Sequence, residues 1–379
     1  MDLYKKTVEG IKPLYKESIK LAKERQDFLA KPVGSLGKLE DISVQLAGIT
    51  GNINNTINKK CTIVMAADNG VFEEGVASTP QEVTAIQSIN MAKGRSGVSV
   101  LAKQAGADVF VVDIGIKANI DYAGIIDKKI RKGTNNIAKE NAMTREEAIQ
   151  AIEIGIETIT DLANKGYNLF GTGEMGIGNT STSSAVLMAF SKCTSDEAVG
   201  KGAGLTDEGL LLKKRTIEKA IKINNPDCND PIDVISKVGG FDIAGLVGCY
   251  LGAAYLRVPI VIDGVISATA AYAAYQINNT VKDYMICSHC STERAYLYIM
   301  KEMKLEPMLL MDMRLGEGSG CPLAFHIVES ACAVMNNMAT FGDLEVDDDY
   351  MIDIRTDTEL TAAEVRRVDD DYTIDIREG

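Results

Sequence analysis

The sequence predicts an α/β fold, a parallel sheet covered by helices on both faces. Three observations carry this. Short runs of wholly apolar residues recur along the chain, most of them ending at Gly, Asp, Ser or Glu. Long stretches of helical periodicity separate several of these runs, and strands that are apolar throughout and alternate with helices belong to parallel sheets buried on both sides. The composition is 46% hydrophobic but only 6% aromatic, with 34 Gly and no Trp, which suits close helix-on-sheet packing better than a β-sandwich.

In chain order, residues 1–30 place Leu14, Ile19, Leu21 and Leu29 at helical spacing among many Lys and Glu, predicting helices packed on one side only. Lys31-Pro32-Val33-Gly34-Ser35-Leu36-Gly37-Lys38 breaks that period and leads into a short helix through Leu46. Strands are expected at Thr62–Ala67, Val109–Ile114, Asn168–Phe170, Pro259–Ile262, Tyr284–Cys287 and Met308–Met311. Helices are expected at Glu82–Ala102, Thr144–Lys165 and Thr206–Ile223. In such a sheet ligands bind beyond the carboxyl ends of the strands, so the residues just after each run are the candidates for chemistry. At the end, Val346-Asp347-Asp348-Asp349-Tyr350-Met351-Ile352-Asp353-Ile354-Arg355 recurs as Val368-Asp369-Asp370-Asp371-Tyr372-Thr373-Ile374-Asp375-Ile376-Arg377. A metal-binding or partner-binding segment is one reading of this duplicated acidic peptide, and a solvated, poorly ordered extension or a short amphipathic hairpin is the plainer one.

The net charge is −13, and from Leu344 onward thirteen acids face four Arg, so most of the charge lies in that tail. No basic stripe exists to neutralise phosphates, which argues against nucleic acid as a partner. No apolar run approaches the ~20 residues that span a bilayer, and the Lys-rich start lacks a signal-peptide stretch, so a cytoplasmic location is expected. Eight scattered Cys read as reduced thiols. Cys287 and Cys290 look like half a metal site, but no second Cys/His pair stands at suitable spacing, and no metal or other cofactor is expected.

The densest chemical signal is Gly171-Thr172-Gly173-Glu174-Met175-Gly176-Ile177-Gly178-Asn179-Thr180, after a predicted strand and at the start of a helix. Backbone N–H groups and the helix dipole make such a segment a phosphate site. Gly171-x-Gly173-x-x-Gly176 also matches the dinucleotide fingerprint, but Glu174 would push a carboxylate into the pyrophosphate and no ribose-binding acid follows the next strand. A glycine-rich turn without a ligand is the plainer alternative. Arg314-Leu315-Gly316-Glu317-Gly318-Ser319-Gly320 puts a second carboxylate among glycines after a predicted strand. Glu174 and Glu317 thus both read as loop carboxylates, in positions where pKa values shift easily; for Glu317 the alternative is an awkward ion pair with Arg314. Asp68, Asp113, Asp263 and His289 end other strands without forming a ligand cluster, and His326 falls in a predicted helix as a structural residue.

Taken together, Lys31-Pro32-x-Gly34-Ser35-Leu36-Gly37, Ala67-Asp68-Asn69-Gly70-Val71, Gly173-Glu174-Met175-Gly176-Ile177-Gly178-Asn179-Thr180, Val238-Gly239-Gly240-Phe241-Asp242, Ile262-Asp263-Gly264, Ser288-His289-x-Ser291-x-Glu293 and the Arg314–Gly320 segment resemble the nicotinate-nucleotide–dimethylbenzimidazole phosphoribosyltransferase family, from about Lys31 to Met338. The resemblance implies a six-stranded Rossmann-like parallel sheet and a small helical domain built from both chain ends. The expected division is 1–30 in the small domain, 31–310 as the α/β body, 311–343 as the Glu loop and closing helices, and 344–379 as the tail. It also implies a homodimer that transfers ribose 5-phosphate from nicotinate mononucleotide to 5,6-dimethylbenzimidazole or a related base in assembly of the cobalamin nucleotide loop. Glu317 would be the general base and Glu174 a second carboxylate near the ribose. Gly176, Gly178, Asn179, Thr180, Gly202, Lys213, Asp263, Ser291 and Arg314 would hold the nucleotide and its phosphate; Thr79, Gln87, Met175 and Leu315 would receive the acceptor base. Thr79 and Gly178 depart from the family pattern, which bears on acceptor preference. A nicotinamide-dependent dehydrogenase and a non-catalytic nucleotide sensor are the competing readings.

Overall fold

The computed structural model describes residues 2–191, 193–202, 204–344 and 352–355. Six strands, β1 (Lys60–Ala67), β2 (Asp108–Gly115), β3 (Ile125–Asp127), β4 (Leu169–Met175), β5 (Ile260–Ile262) and β6 (Met285–Cys287), form one sheet in the order β3-β2-β1-β4-β5-β6. Every pairing is parallel. The order reverses between β1 and β4, so the crevice at their carboxyl ends is the place this topology offers a ligand.

Two strand expectations need correction. Met308–Met311 forms no strand; only Leu309 bridges to His289, and Leu310 and Met311 are exposed. The sixth strand is instead β3, three half-exposed residues pairing with β2 at the sheet edge, too short and too wet to leave an apolar run.

The chain opens with α1 (Leu3–Gly10), α2 (Lys16–Phe28) and α3 (Lys38–Thr50). The expected helix over Glu82–Ala102 is two helices, α4 (Val83–Ala92) and α5 (Gly97–Gln104). Gly94, at φ +73°, turns the chain between them, and the Ser96 hydroxyl caps α5 by accepting from the Ser99 N–H. Next come α6 (Arg145–Asn164), started by a Thr144/Glu147 capping box, then α7 (Asn179–Phe190), α8 (Ser195–Ala198), α9 (Asp207–Asn224), α10 (Pro231–Val238) and α11 (Phe241–Leu256). Helices α12 (Val265–Ile277), α13 (Arg294–Met303) and α14 (Cys321–Asn337) complete the set. The main core lies between the sheet and α6, α7, α11 and α12. Helices α6 and α11 approach backbone to backbone, because a Cβ on Gly155 or Gly248 would overlap the carbonyl of Gly245 or Ile152.

The two chain ends meet. Ala22 of α2, Ala47 of α3 and Met335 of α14 share a small core, the Arg25 guanidinium donates to the Met335 carbonyl at 2.8 Å, and Leu29 bridges to Thr340. Part of the first acidic repeat is ordered against this region. Val33 donates to the Ile352 carbonyl (2.8 Å) and accepts from the Ile354 N–H (3.1 Å), while Arg355 lies 3.5 Å from Asp27. The second repeat lies outside the described residues. Removing everything after Leu344 is expected to lower stability by ~1–2 kcal/mol, through two lost backbone hydrogen bonds, and to leave turnover unchanged. Thermal melts and rates on the truncated chain test this; a large loss of turnover by a folded protein would contradict it.

Among the described residues no helix is long and apolar enough to cross a membrane.

Candidate active site

At the switch point, β4 runs between β1 and β5, and its residues Gly171 and Gly173 are strand residues rather than a phosphate turn. Their missing Cβ atoms make room for neighbours: a Cβ on Gly171 would strike Cys321 and Phe325 of α14, and one on Gly173 would strike the Glu317 backbone. This weighs against the dinucleotide reading of Gly171-x-Gly173-x-x-Gly176, since all three of its glycines meet protein atoms where a Cβ would stand. It also moves Glu174, expected in a loop, into β4 opposite Met65 of β1.

Glu174 is buried, accepting from the Glu317 N–H on Oε1 (3.2 Å) and from the Asn179 side-chain amide on Oε2. Burial chiefly, and then the charge of Asp242, pushes its pKa up to about 8. Asp242, near the start of α11, is itself fully buried and pushed up to about 7 by burial. It belongs to the Gly-Gly-Phe-Asp motif, yet nothing in its spacing told of its place beside Glu174.

Glu317 sits 8% exposed on a tight loop, at φ +63° between Gly316 at +81° and Gly318 at +89°. Its Oε1 accepts from the Gln87 side chain of α4 at 2.7 Å, and its Oε2 faces the Val98 N–H of α5 at 3.4 Å. Gln87 thus meets Glu317 as well as the expected acceptor region. The Val98 contact could not be foreseen, because a backbone amide leaves no mark in a sequence. Among the described residues Arg314 forms no ion pair with Glu317.

Both carboxylates open onto one cleft of about 280 Å³. All the residues expected at the site line it except Gly178 and Lys213, and Val83, Ile177, Gly264–Ser267, His289 and Glu293 join them. Gly178 lies just behind, at φ +97°, where it caps the start of α7. Lys213 of α9 lies beneath the cleft floor, 1% exposed, donating to the Thr180 hydroxyl (2.8 Å) and the Gly200 carbonyl (3.1 Å). Burial draws its pKa down to about 8 against the opposing pull of Glu293. The cleft therefore holds the start of α7, Thr180 and Gly202, with the Lys213 ammonium behind Thr180, a set suited to a phosphate. Its lining also includes Thr79, Gln87, Met175 and the exposed Leu315, suited to a flat, mostly apolar group.

Asp68 and Asp113 lie outside the cleft and are held by neighbouring backbone, whereas Asp263 lines it. Asp68 accepts from the Lys117 N–H (2.7 Å), and Asp113 accepts from the Ile116 N–H (2.8 Å) and pairs with Lys129 (3.1 Å). Asp263 accepts from the Gly318 and Gly320 N–H groups. Among the described residues no cluster of His, Cys, Asp and Glu could hold a metal, and the Cys287 thiol faces Met300 instead of Cys290. His326 is exposed on α14, whereas His289 is buried and burial disfavours its charged form.

The phosphoribosyltransferase family model matches residues 11–346. The chain is 56% identical over 356 residues to the nicotinate-nucleotide–dimethylbenzimidazole phosphoribosyltransferase of Clostridium tetani, covering 94% of this chain and 98% of that relative. The chain belongs to this phosphoribosyltransferase family. The corresponding enzyme of Clostridium perfringens is 52% identical over 348 residues, covering 92% of this chain and 96% of its own length. A crystal structure of CobT from Thermus thermophilus superposes with a TM-score of 0.84 at 33% identity, covering 88% of this chain and 99% of that one. The chain is thus a pentosyltransferase with the family's α/β fold, and Glu174 and Glu317 stand where that fold exposes its switch-point crevice.

Proposed function

We propose that the chain transfers the ribose 5-phosphate of nicotinate mononucleotide to 5,6-dimethylbenzimidazole or a closely related base, giving an α-ribazole 5′-phosphate and nicotinate. The observation that carries this reading is the position of Glu317: its carboxylate is held by Gln87 and Val98 in the same cleft that Thr180 lines, with Lys213 donating to Thr180 from behind. The nicotinate ring leaves a cationic pyridinium as a neutral nitrogen, so its departure needs no acid. The reaction does need a fixed ribose phosphate, negative charge near the anomeric carbon as it becomes positive, and a base for the acceptor N–H. The start of α7 with Lys213 and Ser291 supplies the first. Glu174 supplies the second: a cationic substrate beside it favours its ionised form. Glu317 supplies the third. Attack from the acceptor side of the cleft displaces nicotinate with inversion from β to α.

Incubation with nicotinate mononucleotide and a panel of benzimidazoles, adenine and phenols, with products identified by mass, tests this. Nicotinate release that depends on an added benzimidazole supports transfer. Tight binding without release would favour a sensor, and reduction of an added nicotinamide dinucleotide a dehydrogenase.

Lys213 gives the binding step a pH signature. Below about pH 8 its ammonium is charged before substrate arrives; above that, binding must recruit a proton, so affinity should fall as pH rises, by up to ~10-fold per unit. Lys213→Ala should weaken nicotinate mononucleotide binding by ~1.5–3 kcal/mol and abolish that slope. Calorimetry across pH reads both, and a wild-type slope retained by the variant would sink the assignment.

The same reading makes the chain a cytoplasmic homodimer, with the contacts of α2, α3 and α14 supporting a small helical domain formed by both chain ends.

A further inference from the structure

Asp263 ends β5 directly beneath the Glu317 loop, 1% exposed. Its Oδ2 accepts from the Gly318 N–H at 2.9 Å and its Oδ1 from the Gly320 N–H at 2.7 Å. Gly316, Glu317 and Gly318 are three successive residues at positive φ, a conformation unfavourable for Glu that persists only where surrounding contacts fix it. Asp263 is fixed in turn. Its N–H donates to the Ser267 hydroxyl at 3.2 Å, and Ser267 is hydrogen-bonded to Thr172 of β4 (2.5 Å) and Tyr250 of α11 (2.7 Å). A buried hydroxyl triad thereby ties the centre of the sheet to the loop that carries Glu317.

We propose that Asp263 is a positioning residue, acting through the Gly318 and Gly320 amides to hold the Glu317 carboxylate in the cleft, rather than a ligand for the nucleotide phosphate. Each of its oxygens already accepts from a backbone amide. A carboxylate set against a phosphate would also repel it, and the buried cation lies at Lys213 instead. The role rests on the reading of Glu317 as the base.

Asp263→Asn keeps the shape but turns one acceptor into a donor that faces an N–H. Turnover is expected to fall ~30- to 100-fold, the scale of a small misplacement of a reacting group, while calorimetric affinity for nicotinate mononucleotide stays within about threefold. Added to Glu317→Gln, the same change should cost less than about twofold more, because the group it positions is gone. Ser267→Ala, which loosens Asp263 without altering its carboxylate, should give the same pattern at ~3- to 10-fold and keeps the test open if Asp263→Asn does not fold. Nucleotide affinity that falls as far as turnover would overturn the proposal in favour of a ligand contact. A full loss retained on the Glu317→Gln background would overturn it in favour of a general structural role. Failure of the base assignment shows separately, as near-normal turnover by Glu317→Gln alone.

Discussion

Glu317→Gln should lower turnover on benzimidazole acceptors by ~10²–10⁴ while changing affinity for nicotinate mononucleotide little. A neutral benzimidazole attacks through one ring nitrogen, and the proton on the other must go to a base within reach. Glutamine keeps the size of the side chain and can hydrogen-bond with Gln87, but it accepts no proton. Thr180, Gly202 and Lys213, proposed above to hold the nucleotide, are untouched by the change, so binding and chemistry should separate. An acceptor whose N–H is acidic enough to be ionised in the assay should recover much of the lost rate. Steady-state rates together with calorimetric binding decide the matter; a glutamine variant with near-normal rates would move the base role to Glu174 or to solvent.

The second large effect is expected from Gly173→Ala. The new methyl would overlap the Glu317 carbonyl oxygen and lie 2.9 Å from its carbonyl carbon and 3.0 Å from Val64 Cγ2. Backbone on one side and β1 on the other leave no flexible group to yield. Overpacking of this kind costs ~1–3 kcal/mol of stability. The loop displacement it forces should cut turnover by ~10²-fold, as misplacement of a catalytic group by about 1 Å does. Melting curves and rates on the purified variant read both effects. Turnover within threefold of the parent would show that the loop tolerates the shift.

Much of this architecture was legible because apolar runs and glycine clusters report burial and turns directly. Five of the six strands follow from such runs, and both glutamates were singled out by the glycines around them. What escaped had physical reasons. Strand β3 is short and half exposed, so nothing in its composition separates it from a loop. Gly94 was hidden in a stretch that otherwise keeps helical period. The glycines at 171 and 173 read as part of a phosphate segment, and only tertiary packing shows that α14 and the Glu317 loop fill that space instead. Asp242, Val98 and the Asp263 amide bonds reach the site through the third dimension, from α11, α5 and β5, and sequence spacing holds no record of that convergence. Their partners became visible only once the sheet order brought the ends of β1, β4 and β5 together.

The most direct measurement of the central claim is proton NMR of the reaction of the full chain with nicotinate mononucleotide and 5,6-dimethylbenzimidazole. The account predicts nicotinate and a benzimidazole ribotide in equal amounts, with the new anomeric centre in the α configuration, as direct displacement across the cleft requires. A product retaining the β configuration, or nicotinate released with no ribotide formed, would contradict it.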